Sequence, residues 1–141
     1  MSSAEAVFRR ERSVRSMDID ALGHVNNAVW VGFIVELATA HADARGFGWR
    51  RNREFGGQWI VSRHEIDYLR PALEGEKLLE ETWVEEFRGA RSTRCSRFTR
   101  AADGTVLLRA VTLWAWVDLH TLRPRRIPPE VIEGYPLHRE P

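Results

Sequence analysis

Residues Asn27 to Arg45 set the first constraint on this chain. Ala28, Val29, Trp30, Val31, Phe33, Ile34, Val35, Leu37 and Ala38 follow one another with only Gly32 and Glu36 between them. The run favours helix. Its first half is apolar on almost every side, which reads as a helix buried inside a fold and not one resting on a surface. Asn26 or Asn27 can cap its start, and Gly46 can end it in the left-handed conformation. Such a helix must be wrapped by the rest of the chain. The 141 residues are the length of one ordinary domain, which buries roughly two-thirds of its unfolded surface.

The wrapping material is strand. Val7 to Val14 alternates weakly and fits an edge strand, and Ser16 to Gly23 is polar and turn-like. Gly46 to Gly57 reads as a loop with a basic patch at Arg50, Arg51 and Arg53. From Trp59 the period shortens to that of a strand, which runs to Pro71 and is stopped there. Lys77 to Arg88 alternates around Leu79, Thr82, Val84 and Phe87, and Gly89-Ala90 turns into Ser92 to Arg100. In that strand Arg94, Ser96 and Phe98 share one side, and Cys95, Arg97 and Thr99 the other. Asp103-Gly104 marks a hairpin into Thr105 to Asp118, the most strand-like segment. The tail, residues 120–141, carries five of the six prolines and several arginines and is expected to lie extended over the surface.

One strand, one long helix and four further strands joined by tight turns make an α+β domain spanning 1–141, with an antiparallel sheet around the helix. The helix would still need cover on its remaining faces. Pairing of subunits through sheet edges or helices would supply it, so a homodimer or homotetramer is expected. No apolar run approaches the ~20 residues of a membrane helix. The opening residues lack an apolar signal core, and Glu5 and Glu11 argue against a transit peptide. A cytoplasmic protein without membrane association is the expectation. The net charge of +1 argues against a nucleic-acid partner. A single cysteine, Cys95, leaves no internal disulfide and no Cys-rich metal site.

The chemistry concentrates in Asp18-Ile-Asp20-Ala-Leu-Gly-His24-Val-Asn26-Asn27, immediately before the helix. Helix starts present unpaired backbone N–H groups and the positive end of a dipole worth about half a unit charge. Those groups can hold a carbonyl oxygen as it gains negative charge during acyl transfer. A carboxylate a few residues upstream can then attack the carbonyl carbon, or take a proton from an attacking water.

The pattern Asp-x-Asp-x-x-Gly-His-Val-Asn-Asn, closed by Glu36, resembles the hotdog-fold thioesterases, in particular the 4-hydroxybenzoyl-CoA thioesterase-like branch and the plant acyl-ACP thioesterases. Ile66-Asp-Tyr-Leu-Arg-Pro71 and Trp116 to Pro128 extend the likeness over roughly residues 7 to 132. The resemblance implies a hotdog fold, in which the antiparallel sheet wraps one long central helix. It also implies a hydrolase that splits an acyl-CoA or acyl-ACP to free acid and thiol without a cofactor or metal. Asp20 falls on the family's catalytic carboxylate, as nucleophile or general base. Asn27 falls where a backbone amide faces the thioester oxygen, and His24 on a histidine ascribed a catalytic part in the plant enzymes. The plant pattern has an asparagine where this chain has Leu22. A non-catalytic acyl-thioester-binding protein, or a hydratase acting on an enoyl thioester, are the alternatives.

Each of these residues also has a plainer role. Asp20 can simply form a turn, and His24 can order the loop through its backbone. Asp18 reads as a turn residue and Asn26 as a cap. Glu36 is expected to pair with an arginine. His64 and Glu65 face opposite sides of a strand and so do not form a pair. The six tryptophans are core or interface material, with Trp30 and Trp59 also possible walls for an acyl group. Cys95 is expected to be inert. All but one of the basic side chains other than histidine are arginine, the exception being Lys77. Arg91, Arg94, Arg97, Arg123, Arg125 and Arg126 are candidates for binding the phosphates of coenzyme A or the phosphopantetheine arm.

Overall fold

A computed structural model describes residues 6–141; Met1 to Glu5, part of the segment read above for targeting signals, lie outside the described residues. Five strands form one sheet in the order β1-β3-β4-β5-β2, every neighbouring pair antiparallel: β1 (Phe8–Ser13), β2 (Gly57–Tyr68), β3 (Lys77–Arg88), β4 (Arg91–Arg100) and β5 (Val106–Asp118). The long helix α1 (Asn27–Ala44) packs on one face of it. Asn26 caps α1 by accepting the Ala28 N–H at 2.8 Å, and Gly46 follows with φ +84°. The architecture is the expected α+β wrap. Among the described residues no helix is long and apolar enough to cross a membrane.

The helix is less enclosed than its composition suggests. Trp30, Phe33, Ile34, Leu37, Ala38 and His41 form the buried stripe, at the spacing that puts residues on one helix face. Ala28, Gly32, Glu36 and Thr39 are exposed on the opposite face. The sheet covers one side of the helix, and the other side is left open by the described residues. Glu36 meets its expected arginine there: Arg12 Nη2 donates to it at 2.6 Å.

A bulge decides which side of β2 meets the helix. The pairing with β5 slips between Val61 and Arg63, so Ser62 is the extra residue. Trp59 and Val61 before it, then His64, Ile66 and Tyr68 after it, lie opposite Trp116, Trp114, Thr112, Ala110 and Leu108. His64 Nδ1 bonds Thr112 Oγ1 at 2.9 Å, while Glu65 points away, as the alternation implies. Without the bulge, Arg63 and Glu65 would turn toward the core.

Two stretches depart from expectation. The segment after Gly46 is not all loop: Trp49–Glu54 forms a short helix, α2, with Asn52 buried. The tail is largely exposed but is not extended throughout, and part of it enters the core. Pro129 opens a one-turn helix, α3 (Pro129–Glu133), and Ile127, Val131 and Tyr135 join Val84 and Trp116 in a second core cluster. Proline fits the first helical position because its missing N–H would have had no partner there.

Candidate active site

The Asp20 turn is closed by its own backbone. Asp20 N–H donates to His24 O at 2.8 Å, and Gly23 N–H, at φ +81°, returns to Asp20 O at 3.0 Å. The Asp20 carboxylate is tied on one side only. Its Oδ1 accepts from Leu22 N at 2.9 Å and His24 N at 3.3 Å, whereas Oδ2 has no donor among the described residues. The turn is anchored below by Asp18, which is 3% exposed and takes the Arg15 N–H at 2.9 Å. Asn26 N–H donates to Asp18 O at 3.0 Å, which sets the distance from turn to helix.

At the helix start the first donors are mostly taken. Ala28 N–H goes to the Asn26 side chain, and Val29 and Trp30 N–H go to Asn26 O. The Asn27 N–H has no acceptor among the described residues. It is the open donor of the helix terminus. Tyr68 reaches across from the end of β2, its hydroxyl donating to Asn27 O at 3.3 Å. Asp20, His24, Asn27 and Tyr68 all border one cavity of about 380 Å³, with Trp30 behind it. Trp30 also packs edge-on against Phe33 and Phe98, so it belongs to the core as much as to the site. The three residues singled out from sequence are thus together. His24 holds the loop by its backbone; its exposed ring borders the cavity.

Tyr68 and Arg70 escaped the sequence reading. Both lie on the Ile66-to-Pro71 segment, but only the tertiary fold brings it against a helix start some 40 residues earlier. Arg70 donates to Leu69 O and has no carboxylate among the described residues. The arginines nominated for phosphate divide. Arg91, Arg123 and Arg126 are exposed. Arg97 is bound to Glu81 and Glu140, and Arg125 to Gly56 O and Asp118. Arg94 lies buried under the helix, on the wall of a different cavity from the one at Asp20. Trp59 borders a second cavity and not the one at Asp20. Burial and the neighbouring Glu85 carboxylate push the Cys95 thiol up to about 12, in line with an unreactive residue. Among the described residues, no set of three His, Cys, Asp or Glu converges as metal ligands.

Exposed apolar side chains border this site and the strand that leads to it. Leu22 is 81% exposed, and Tyr68 and Leu69 stand out at the end of β2, with Ile60 near its beginning. Since β2 is an edge strand, one row of its backbone N–H and C=O groups is also unpaired.

Two solved thioesterases superpose on this structure. A 1,4-dihydroxy-2-naphthoyl-CoA thioesterase from Synechocystis superposes with a TM-score of 0.83 at 19% identity, covering 91% of this chain and 94% of its own. An acyl-ACP thioesterase from Bacteroides thetaiotaomicron gives 0.89 at 24% identity, over 99% of this chain and 57% of its own. Both likenesses show the fold, a hotdog. In sequence, a chloroplastic acyl-[acyl-carrier-protein] hydrolase of Cuphea viscosissima is 26% identical over 130 residues, which are 88% of this chain; the match spans only 32% of that protein. A family model matches residues 14–134 and so takes in the Asp20 turn, all of α1 and strands β2 to β5; by that match the chain belongs to the thioesterase-like superfamily.

Proposed function

We propose that the protein hydrolyses an acyl thioester, an acyl-CoA or acyl-ACP, to free acid and thiol. The observation that carries this reading is the pairing, in one cavity, of an untied Asp20 Oδ2 with the open Asn27 N–H of the long helix. The thioester carbonyl would sit with its oxygen on Asn27 N–H and its carbon toward Asp20. As general base, Asp20 takes a proton from water while the water oxygen bonds to the carbonyl carbon; the C–S bond then breaks and the leaving sulfur takes up a proton. As nucleophile, an Asp20 oxygen bonds to the carbonyl carbon, thiolate leaves, and water cleaves the resulting anhydride. In either course negative charge grows on the carbonyl oxygen, where the helix start favours it. Tyr68, bonded to Asn27 O, holds that start in place. Arg70 and the exposed arginines would meet the phosphates of the thiol carrier.

The direct test is thiol release across a panel of acyl-CoA and acyl-ACP thioesters of differing length and aromaticity. Release with one class of ester supports the reading. Saturable binding with no release would favour a binding protein. Loss of enoyl absorbance without thiol would favour a hydratase.

The working form is taken to be a homodimer built on β2. Its unpaired edge, the exposed apolar groups along it and the uncovered face of α1 all call for a second copy. Antiparallel pairing of two β2 strands sets the Gln58–Trp59 end of each beside the Tyr68–Leu69 end of the other, so each site borders its partner. Wild-type protein is expected to sediment at twice the mass of one chain. The double variant Ile60→Asp/Leu69→Asp is expected to sediment as a monomer and to lose more than about tenfold in kcat/KM. A monomeric wild type with full activity would overturn the dimer.

A further inference from the structure

The arginines that the sheet draws out of solvent have carboxylates. Arg10 and Arg12 share Glu80, Arg97 sits between Glu81 and Glu140, and Arg100 between Glu76 and Asp103. Arg94 is the exception. Among the described residues it is the one buried arginine, at 6% exposure, and none of them gives it a carboxylate partner. Its guanidinium donates only from Nη1, to His41 Nδ1 at 2.8 Å and Thr82 Oγ1 at 3.2 Å. His41 brings no charge, because burial and then the charges of Arg94 and Arg45 pull its imidazole down to about 3. Burial lowers Arg94 only to about 10, so it stays protonated at neutral pH. A lone enclosed charge costs several kcal/mol.

Arg94 borders a cavity of about 220 Å³ between the second half of α1, α2 and the sheet. Trp59, Phe87, Phe47 and Tyr135 supply apolar wall. Asn52 and Trp114, which also line it, each carry a buried polar atom, Oδ1 and Nε1, without a partner among the described residues. The lining therefore combines apolar contact with one strong cation, one free N–H and one free carbonyl oxygen. A cavity of ~150 Å³ admits a benzene ring, so this one has room for a short chain or single ring with a polar end, and too little for a long fatty chain.

We propose that this cavity takes the acyl part of the substrate and that Arg94, with the Trp114 N–H, binds a carboxylate at its far end. The favoured substrates would then be mono-thioesters of short dicarboxylic acids, aliphatic or aromatic. The assignment rests on the thioesterase reading above and on its dimer. The Trp59 end of β2, which borders the cavity in one copy, lies beside the Tyr68–Leu69 end that borders Asp20 in the other. The carboxylate supplies the counter-charge that the described residues lack. A plain alkyl chain would leave the guanidinium unpaired against methylene groups, so the same residue rejects it.

The test compares adipoyl-CoA with hexanoyl-CoA, the same chain with and without a terminal carboxylate. In wild type, kcat/KM for adipoyl-CoA is expected to exceed that for hexanoyl-CoA by at least about tenfold. In Arg94→Met the ratio is expected to fall below one, with Arg94→Lys between the two. A purely structural role would change both esters alike and leave the ratio where it was. A wild type that favours hexanoyl-CoA, or a ratio that Arg94→Met does not move, overturns the proposal while the hydrolase reading stands. If wild type cleaves neither ester, the hydrolase reading is what suffers, and tryptophan fluorescence titrated with adipate decides the cavity. Saturable quenching in wild type that Arg94→Met abolishes supports the site; no saturable change refutes it.

Discussion

Replacing Asp20 with asparagine is expected to lower kcat/KM for thioester hydrolysis by between ~10² and ~10⁴, with the melting temperature within a few degrees of wild type. The asymmetry of the carboxylate makes this a clean substitution. Oδ1 is engaged by Leu22 N and His24 N, and an asparagine oxygen can accept both. The second position, Oδ2, has no partner in the loop, and it is there that the amide replaces a basic oxygen with an N–H₂ donor. The turn should hold while the chemistry is lost. Since the Asn27 donor and the cavity wall are untouched, KM should change far less than kcat. Initial rates on the best ester, with thermal unfolding of both proteins, provide the check. A variant within threefold of wild type would remove Asp20 from the mechanism, and a large drop in melting temperature would make it a structural residue.

The candidate site could be gathered from the sequence because its parts are local. Asp20, His24 and Asn27 lie within eight consecutive positions, and one turn and one capped helix start are enough to gather them. The strand faces were equally accessible to a period of two, which placed Arg94, Ser96 and Phe98 on one side of β4. What alternation cannot say is which side the helix will cover. Arg94 therefore read as a surface candidate for phosphate, and only the assembled sheet puts it in the interior. Tyr68 shows the same limit, since its bond to Asn27 joins distant segments. The bulge at Ser62 leaves no mark in local propensity. The short helix Trp49–Glu54 has Gly48 at its cap and no side-chain cap bond, so nothing local announces it; tertiary contacts hold Phe47 and Phe55 at its two ends. The tail was different. Pro129 followed by Glu130 is a helix-start signal that the count of prolines overshadowed.

Removing Glu80 is expected to cost a large part of the stability, and the reason lies in the pairing of β1 with β3. Glu80 is 0% exposed and faces Arg10 across the two strands. Its two oxygens accept Arg10 Nε and Arg12 Nε, each at 2.6 Å. Arg12 extends the chain of charges to Glu36 on α1 and lies 4.0 Å from the centre of the Phe33 ring. The network thus fastens the edge strand to the sheet and to the helix together. Glu80→Ala leaves two guanidinium groups at a half-buried site with only Glu36 to answer them, and breaking such an arrangement typically costs ~3–5 kcal/mol. For a chain of this length that is a fall in melting temperature on the order of 10 to 20 °C. The decisive comparison is with Arg10→Leu/Arg12→Met/Glu80→Leu, which removes all three charges in exchange for apolar volume. If the loss in Glu80→Ala comes from stranded charge, the triple variant should recover most of the stability, because apolar replacements of buried ion networks are often neutral. If both variants are equally unstable, the loss comes instead from packing that only the arginine stems provide over Phe33.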